Sequence, residues 1–246
     1  MLFNFSILFS SLLFLGGLEL VIFQSEHVIA SAMLITVLTL HASHRIGKGL
    51  FSGVIPLTFA LSAVMLLYLV DSMMQRQWLI GLSFGVYYLA FLGIYRLRYY
   101  ERDKTARGMV SFVVMATMFL FYASIYGLYL NFAVPIWGFM LAYCAVTALL
   151  SYQYFLLFDQ TQTRRVRIYS LILGLSMAEV AWIINFWPFG YLTTGVVVLM
   201  FYYILWDLVQ SYFLKDLSKK RIFVHLVLFG FLIGMVLTST RWVPVA

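Results

Sequence analysis

Asn185-Phe186-Trp187-Pro188-Phe189-Gly190 decides how this chain folds. It interrupts a stretch from Gly174 to Gln210 that is otherwise almost wholly apolar. Asn, Pro and Gly close together end one helix and start the next, so the stretch reads as a helical hairpin whose arms approach the roughly 20 residues needed to cross a bilayer. The same punctuation occurs upstream, as Asn131-Phe132-Ala133-Val134-Pro135-Ile136-Trp137-Gly138. Counting back from Asn185 by four and by seven meets Ala181 and Ala178, and the same steps from Asn131 meet Gly127 and Ser124. Each first arm therefore carries a small-residue face ending in a carboxamide, which lets a neighbouring backbone approach and lets the Asn hydrogen-bond across the seam. The two copies predict a duplicated helical hairpin, 109–158 and 168–213, related by an axis along the membrane normal. Parallel repeats of this kind occur in some transporters, but a duplicated hairpin is also the simplest way to grow a bundle.

Working outward, hydrophobic residues make up 64% of the 246 and charged residues 10%, against roughly 45–50% and about 25% in a soluble domain. Lipid obliges every backbone polar group to find an internal partner, and the inside-outside alternation of a barrel strand is missing. The expected fold is an all-α, polytopic membrane helix bundle forming a single transmembrane domain, 1–246. Hydropathy places spans near 3–23, 28–44, 50–70, 78–95, 109–130, 136–158, 168–184, 190–213 and 222–240. That is nine transmembrane helices; the second and ninth are short or polar, which makes eight the fallback. The longest polar interval, Arg96 to Gly108, is too short to fold alone. The start lacks the basic region of a secretory signal and reads as a retained first span. Cys144 is the sole cysteine, so no intramolecular disulfide forms.

Orientation follows from the loops, because Lys and Arg are retained on the cytoplasmic side. Arg45 and Lys48 follow the second span; Arg96, Arg98, Arg102, Lys104 and Arg107 the fourth; Arg164, Arg165 and Arg167 the sixth; Lys215, Lys219, Lys220 and Arg221 the eighth. Only Arg76 and Arg241 of the 16 basic residues fall on the other side. The N-terminus is expected in the cytoplasm and the C-terminus outside, in a bacterial or archaeal cytoplasmic membrane. Trp78, Trp137, Trp187 and Trp242 fall at the expected outer boundary, and Tyr95, Tyr99, Tyr100, Tyr154, Tyr169 and Tyr212 at the inner one, where amphipathic rings settle. The net charge of +7, carried in short loops, then points to anionic lipid headgroups and away from nucleic acid. Gly81 with Gly85, Gly230 with Gly234, and the Ser6, Ser10, Gly17 row are expected to be internal helix contacts. Homo- or hetero-oligomers through such faces stay open.

Glu179 is the sharpest candidate for chemistry. Six residues before Asn185, it lies roughly 9 Å below the outer turn. Intramembrane acids usually face a bundle interior, where they serve as a proton relay, a cation site or a ligand anchor. The structural alternative is a protonated acid hydrogen-bonded to a neighbouring helix. Trp182 shares its face, and Glu19 is an echo near the outer end of the first span, able to share a site if the first and seventh helices are neighbours. Asp71, Glu26 and His27 read as solvated loop residues. At the cytoplasmic end stand His41, His44, Asp159, Asp207 and His225. Asp207, about two turns inside the basic loop, needs a partner such as an Arg or a His. His41, His44, His225 and Asp207 are weak metal candidates, since three or four ligands must converge. No nucleophile elbow, zinc helix or phosphate loop is present, so no catalytic residue and no cofactor is indicated.

The run Ala178-Glu179-Val180-Ala181-Trp182, continuing into Asn185-Phe186-Trp187-Pro188, resembles uncharacterised multi-pass membrane families of small-genome bacteria. The resemblance covers the last third of the chain and implies no activity and no functional residue. The leading expectation is a transporter-like or binding protein for a small or lipid-like ligand, with Glu179, Asn185, Asn131, Trp182 and Glu19 around the outer half of its site. The alternative is a non-catalytic scaffold or complex subunit. A lipid-modifying enzyme using the cytoplasmic His and Asp set comes third.

Overall fold

The computed structural model describes residues 2–23, 28–47, 50–100, 103–132, 134–157, 163–213 and 218–239, with side chains for all of these except 2–4, 50–51, 221–222, 229, 235–237 and 239. Glu26, His27, Lys48, Arg102, Asp159, Lys215, Arg241 and Trp242, and the side chain of Arg221, lie outside the described residues. Nine α-helices and no strand occur among the described residues: α1 Leu2–Phe23, α2 Val28–Gly47, α3 Val54–Leu69 after a 3-10 turn Leu50–Gly53, α4 Met73–Tyr99, α5 Lys104–Asn131, α6 Ile136–Leu156, α7 Thr163–Ile184, α8 Tyr191–Phe213 and α9 Lys219–Ser239. Seven of them are long and apolar enough to cross a bilayer, which marks a membrane protein. α3, at 16 residues, extends only about 24 Å against roughly 30 Å of hydrocarbon, and the apolar run in α9 is also shorter.

Prolines sit where a helix tolerates them. Pro56 is in the first turn of α3 and Pro135 precedes α6, positions whose missing N–H costs no helical hydrogen bond. Several hydroxyls inside the helices are satisfied locally: Ser11 donates to the Ile7 carbonyl, Ser43 to Thr39 and Thr117 to Val113.

The interval Arg96–Gly108, expected to be a polar loop, is largely helical. α4 runs to Tyr99 and α5 starts at Lys104, because Asp103 closes the gap. Its Oδ1 accepts the Thr105 and Ala106 N–H groups that open α5, and its Oδ2 lies 2.7 Å from Arg96 Nη2. The Ala106 N–H, with the Arg96 charge and the Thr105 N–H behind it, outweighs desolvation and holds this carboxyl below the usual carboxylate range. A depressed folded pKa stabilises the fold above the unfolded value and loses that contribution as pH falls through the folded one. Asp103→Asn is therefore expected to melt below the parent at pH 7, with the two midpoints converging as pH is lowered below about 4. Melting curves of both proteins across that range check this.

The chain forms two compact units, Met1–Ser124 and Ile125–Ala246, with α5 running across the division. In the first unit, α1 to α4 pack around Phe14, Phe59, Tyr87 and Phe91. Phe14 stacks on Tyr87 at 4.1 Å between centroids, and the Tyr87 hydroxyl is 3.0 Å from Thr39 Oγ1. Arg98 Nη1 donates to the Ile46 carbonyl at 2.8 Å and so caps α2. Gly17 of α1 meets Ile35 of α2, an internal contact as expected. Tyr87→Phe keeps the stack and strands the Thr39 hydroxyl, for an expected loss of about 1 kcal/mol measurable as a lower unfolding midpoint.

In the second unit α6 and α7 form the closest pair. A Cβ built on Gly174 would come within 2.5 Å of the Cys144 carbonyl oxygen and 2.9 Å of the Ala148 Cβ. Gly174, Met177, Ala178, Ala181 and Ile184 make up the buried face of α7. Gly81 and Gly85 in α4 and Gly230 and Gly234 in α9, expected to be internal contacts, have open space where a Cβ would stand. Tyr154, expected at the membrane boundary, is fully buried and lies 5.0 Å from the Trp206 ring.

Candidate functional site

The seam between α6 and α7 determines where Glu179 points. Gly174 abuts Cys144 and Ala148 of α6 so closely that no side chain fits there, and Ala178 and Ala181 lie on the same buried face of α7. Glu179, about 100° further round than Ala178, turns outward and is exposed. It makes no hydrogen bond or ion pair among the described residues. Trp182 shares that outer face, half exposed, with its ring 5.5 Å from Phe186. Asn185 is half buried and its N–H closes α7 on the Ala181 carbonyl. Asn131 donates its amide to the Gly127 carbonyl of its own helix at 2.8 Å, where a bond across the seam was expected. Glu19 belongs to the first unit and accepts from Gln77 at 3.4 Å.

At the opposite end of the second unit the sequence candidates do meet. Asp207 is 7% exposed, about 9 Å inside the end of α8. Its Oδ2 lies 3.0 Å from His225 Nε2 on α9, the partner type the sequence demanded. Ser211 Oγ donates to the same oxygen at 3.5 Å. The carboxyl group thus sits between the hydroxyl and the imidazole. Tyr203 stacks on His225 at 6.4 Å. His41 and His44, on one turn of α2 in the first unit, are both exposed. Among the described residues no three His, Cys, Asp or Glu side chains come together in a way that could hold a metal.

Two residues that the sequence reading passed over complete the cluster. Trp206 Nε1 and Gln210 Oε1 are buried and have no hydrogen-bond partner among the described residues. They stand four apart on α8 and flank Asp207, so they share a helix face. Their signal in the sequence was this spacing: an indole donor and an amide acceptor beside an acid within an apolar span. Alongside, Tyr202 and Ser151 share a hydrogen bond of 3.1 Å. Lys219 and Lys220 at the start of α9, and Arg164, Arg165 and Arg167 at the start of α7, are exposed at this same end.

A family model matches residues 20–239. The chain belongs to DUF5656, a family of proteins of unknown function. The DUF5656 match takes in Glu179 and the Asp207–His225 pair and extends well beyond the last third of the chain, while Glu19 falls just outside it. No curated protein and no solved structure matches the chain.

Proposed function

We propose that this DUF5656 protein handles a lipid-like ligand with an anionic, hydroxylated headgroup, taken up where α8 meets α9. The observation that carries this reading is the pair of buried, unpartnered polar atoms, Trp206 Nε1 and Gln210 Oε1, beside the Asp207–His225 pair. Each orphan costs about 1–3 kcal/mol while it stays unpaired. A hydroxyl satisfies both at once, accepting from the indole and donating to the amide oxygen. α9 has to give way for it to enter, and its hold on α8 includes the His225 contact. The lysines that begin α9 and the arginines that begin α7 supply the charge that draws an anionic headgroup. In this reading residues 1–246 act as one transmembrane domain with the basic ends in the cytoplasm, and the paired hairpins are a repeat. Asn185 and Asn131 close the opposite end of the ligand's path.

Thermal unfolding of the purified full chain in detergent tests the proposal. Short-chain phosphatidylglycerol a hundredfold above its Kd should raise the midpoint by about 5 °C. Phosphatidylcholine should not, and Trp206→Phe with Gln210→Leu should remove the shift while the protein stays folded. Equal shifts with both lipids, or none in the parent, would replace this reading with that of a complex subunit.

A further inference from the structure

Independently of the headgroup site, one whole face of α7 lacks a cover. Ile168, Ile172, Leu175, Trp182, Ile183 and Phe186 are each 47% to 68% exposed, and their spacing of three and four residues forms one stripe along the helix. Hydrocarbon would satisfy these residues. It would not satisfy Glu179, the one ionisable side chain set among them, exposed and without a partner among the described residues. An acid at that depth, roughly 9 Å from the end of the span, is costly in lipid unless a donor meets it. Lipid headgroup amines belong to the membrane surface and stand off by that distance.

We propose that this face of α7 docks a transmembrane helix of a different protein, which brings a Lys or Arg to the level of Glu179. The charge chooses the occupant. A second copy related by an axis along the membrane normal would set Glu179 against Glu179. Trp182 and Phe186, one and two turns beyond the acid, flank the contact with aromatic surface that packs on an apolar helix while the ion pair forms beneath it.

The test places a photo-crosslinking residue at Leu175 of the full chain in native membranes and identifies the captured segment by mass spectrometry. The proposal expects a transmembrane segment with a Lys or Arg within one helical turn of the crosslinked position. Glu179→Leu should cut the adduct about ten-fold and leave the unfolding midpoint equal to or above the parent's, which separates loss of partner from loss of fold. Glu179→Lys should abolish the adduct, and exchanging the partner's cation for Glu should restore it. Capture of a segment with no cation, of a second copy or of lipid alone would overturn the proposal, as would an adduct that ignores Glu179.

Discussion

Replacing His225 with Ala is expected to destabilise the protein by about 1.5–3 kcal/mol, because it removes the imidazole hydrogen bond to the buried Asp207 carboxyl group. Asp207 Oδ2 sits 3.0 Å from that imidazole and accepts from the Ser211 hydroxyl at 3.5 Å. Removing both polar side chains tells stability from function. Asp207→Leu with His225→Leu should return to within about 1.5 kcal/mol of the parent, since a buried ion pair replaced by apolar side chains is often neutral or stabilising. The same double variant should keep the phosphatidylglycerol shift, because Trp206 Nε1 and Gln210 Oε1, the atoms proposed to meet the headgroup, are untouched. Chemical or thermal unfolding of the three proteins in one detergent measures the first two effects, and the lipid titration measures the third.

The second large effect is expected at the α6–α7 seam. Gly174→Leu should cost about 1–3 kcal/mol or more by overpacking, because the first added carbon already collides with backbone: 2.5 Å to the Cys144 carbonyl oxygen. Neither helix can relieve that by a rotamer change, so the pair must separate. Gly174→Ala should show a smaller loss of the same sign, with Ala148 Cβ at 2.9 Å. Unfolding midpoints give the order. Labelling of Cys144, half buried beside the seam, should become faster in both variants as the helices part.

The membrane class was legible because 64% hydrophobic content admits no other solvent, and helix ends were legible wherever Pro and Gly punctuate the chain. The helical continuation across Arg96–Tyr99 and Lys104–Gly108 was not, since charge alone says "loop" until Asp103 is seen bridging Arg96 and capping α5. Asp207 announced that it needed a basic partner. Which one depended on α9 folding back along α8, a tertiary fact with no local signature. The outward direction of Glu179 was hidden for a different reason. α7 is apolar on nearly every side, so hydropathy gave it no inward face, and only its small residues did. Gly174, Ala178 and Ala181 mark the seam, and about 100° per residue already turned Glu179 away from it. Trp206 and Gln210 were hidden in plain composition, an aromatic and an amide in a span rich in both apolar and aromatic residues, until burial showed their polar atoms unpaired.

The most direct measurement is the indole N–H resonance of Trp206, one of six tryptophans, assigned by its disappearance in Trp206→Phe and followed in lipid nanodiscs. On exchanging phosphatidylcholine for phosphatidylglycerol, the account predicts that this proton moves downfield as it gains an acceptor, while the other indole protons stay within their spread. A Trp206 resonance that stays in place in both lipids, or that moves together with every other indole, would contradict a headgroup site between α8 and α9.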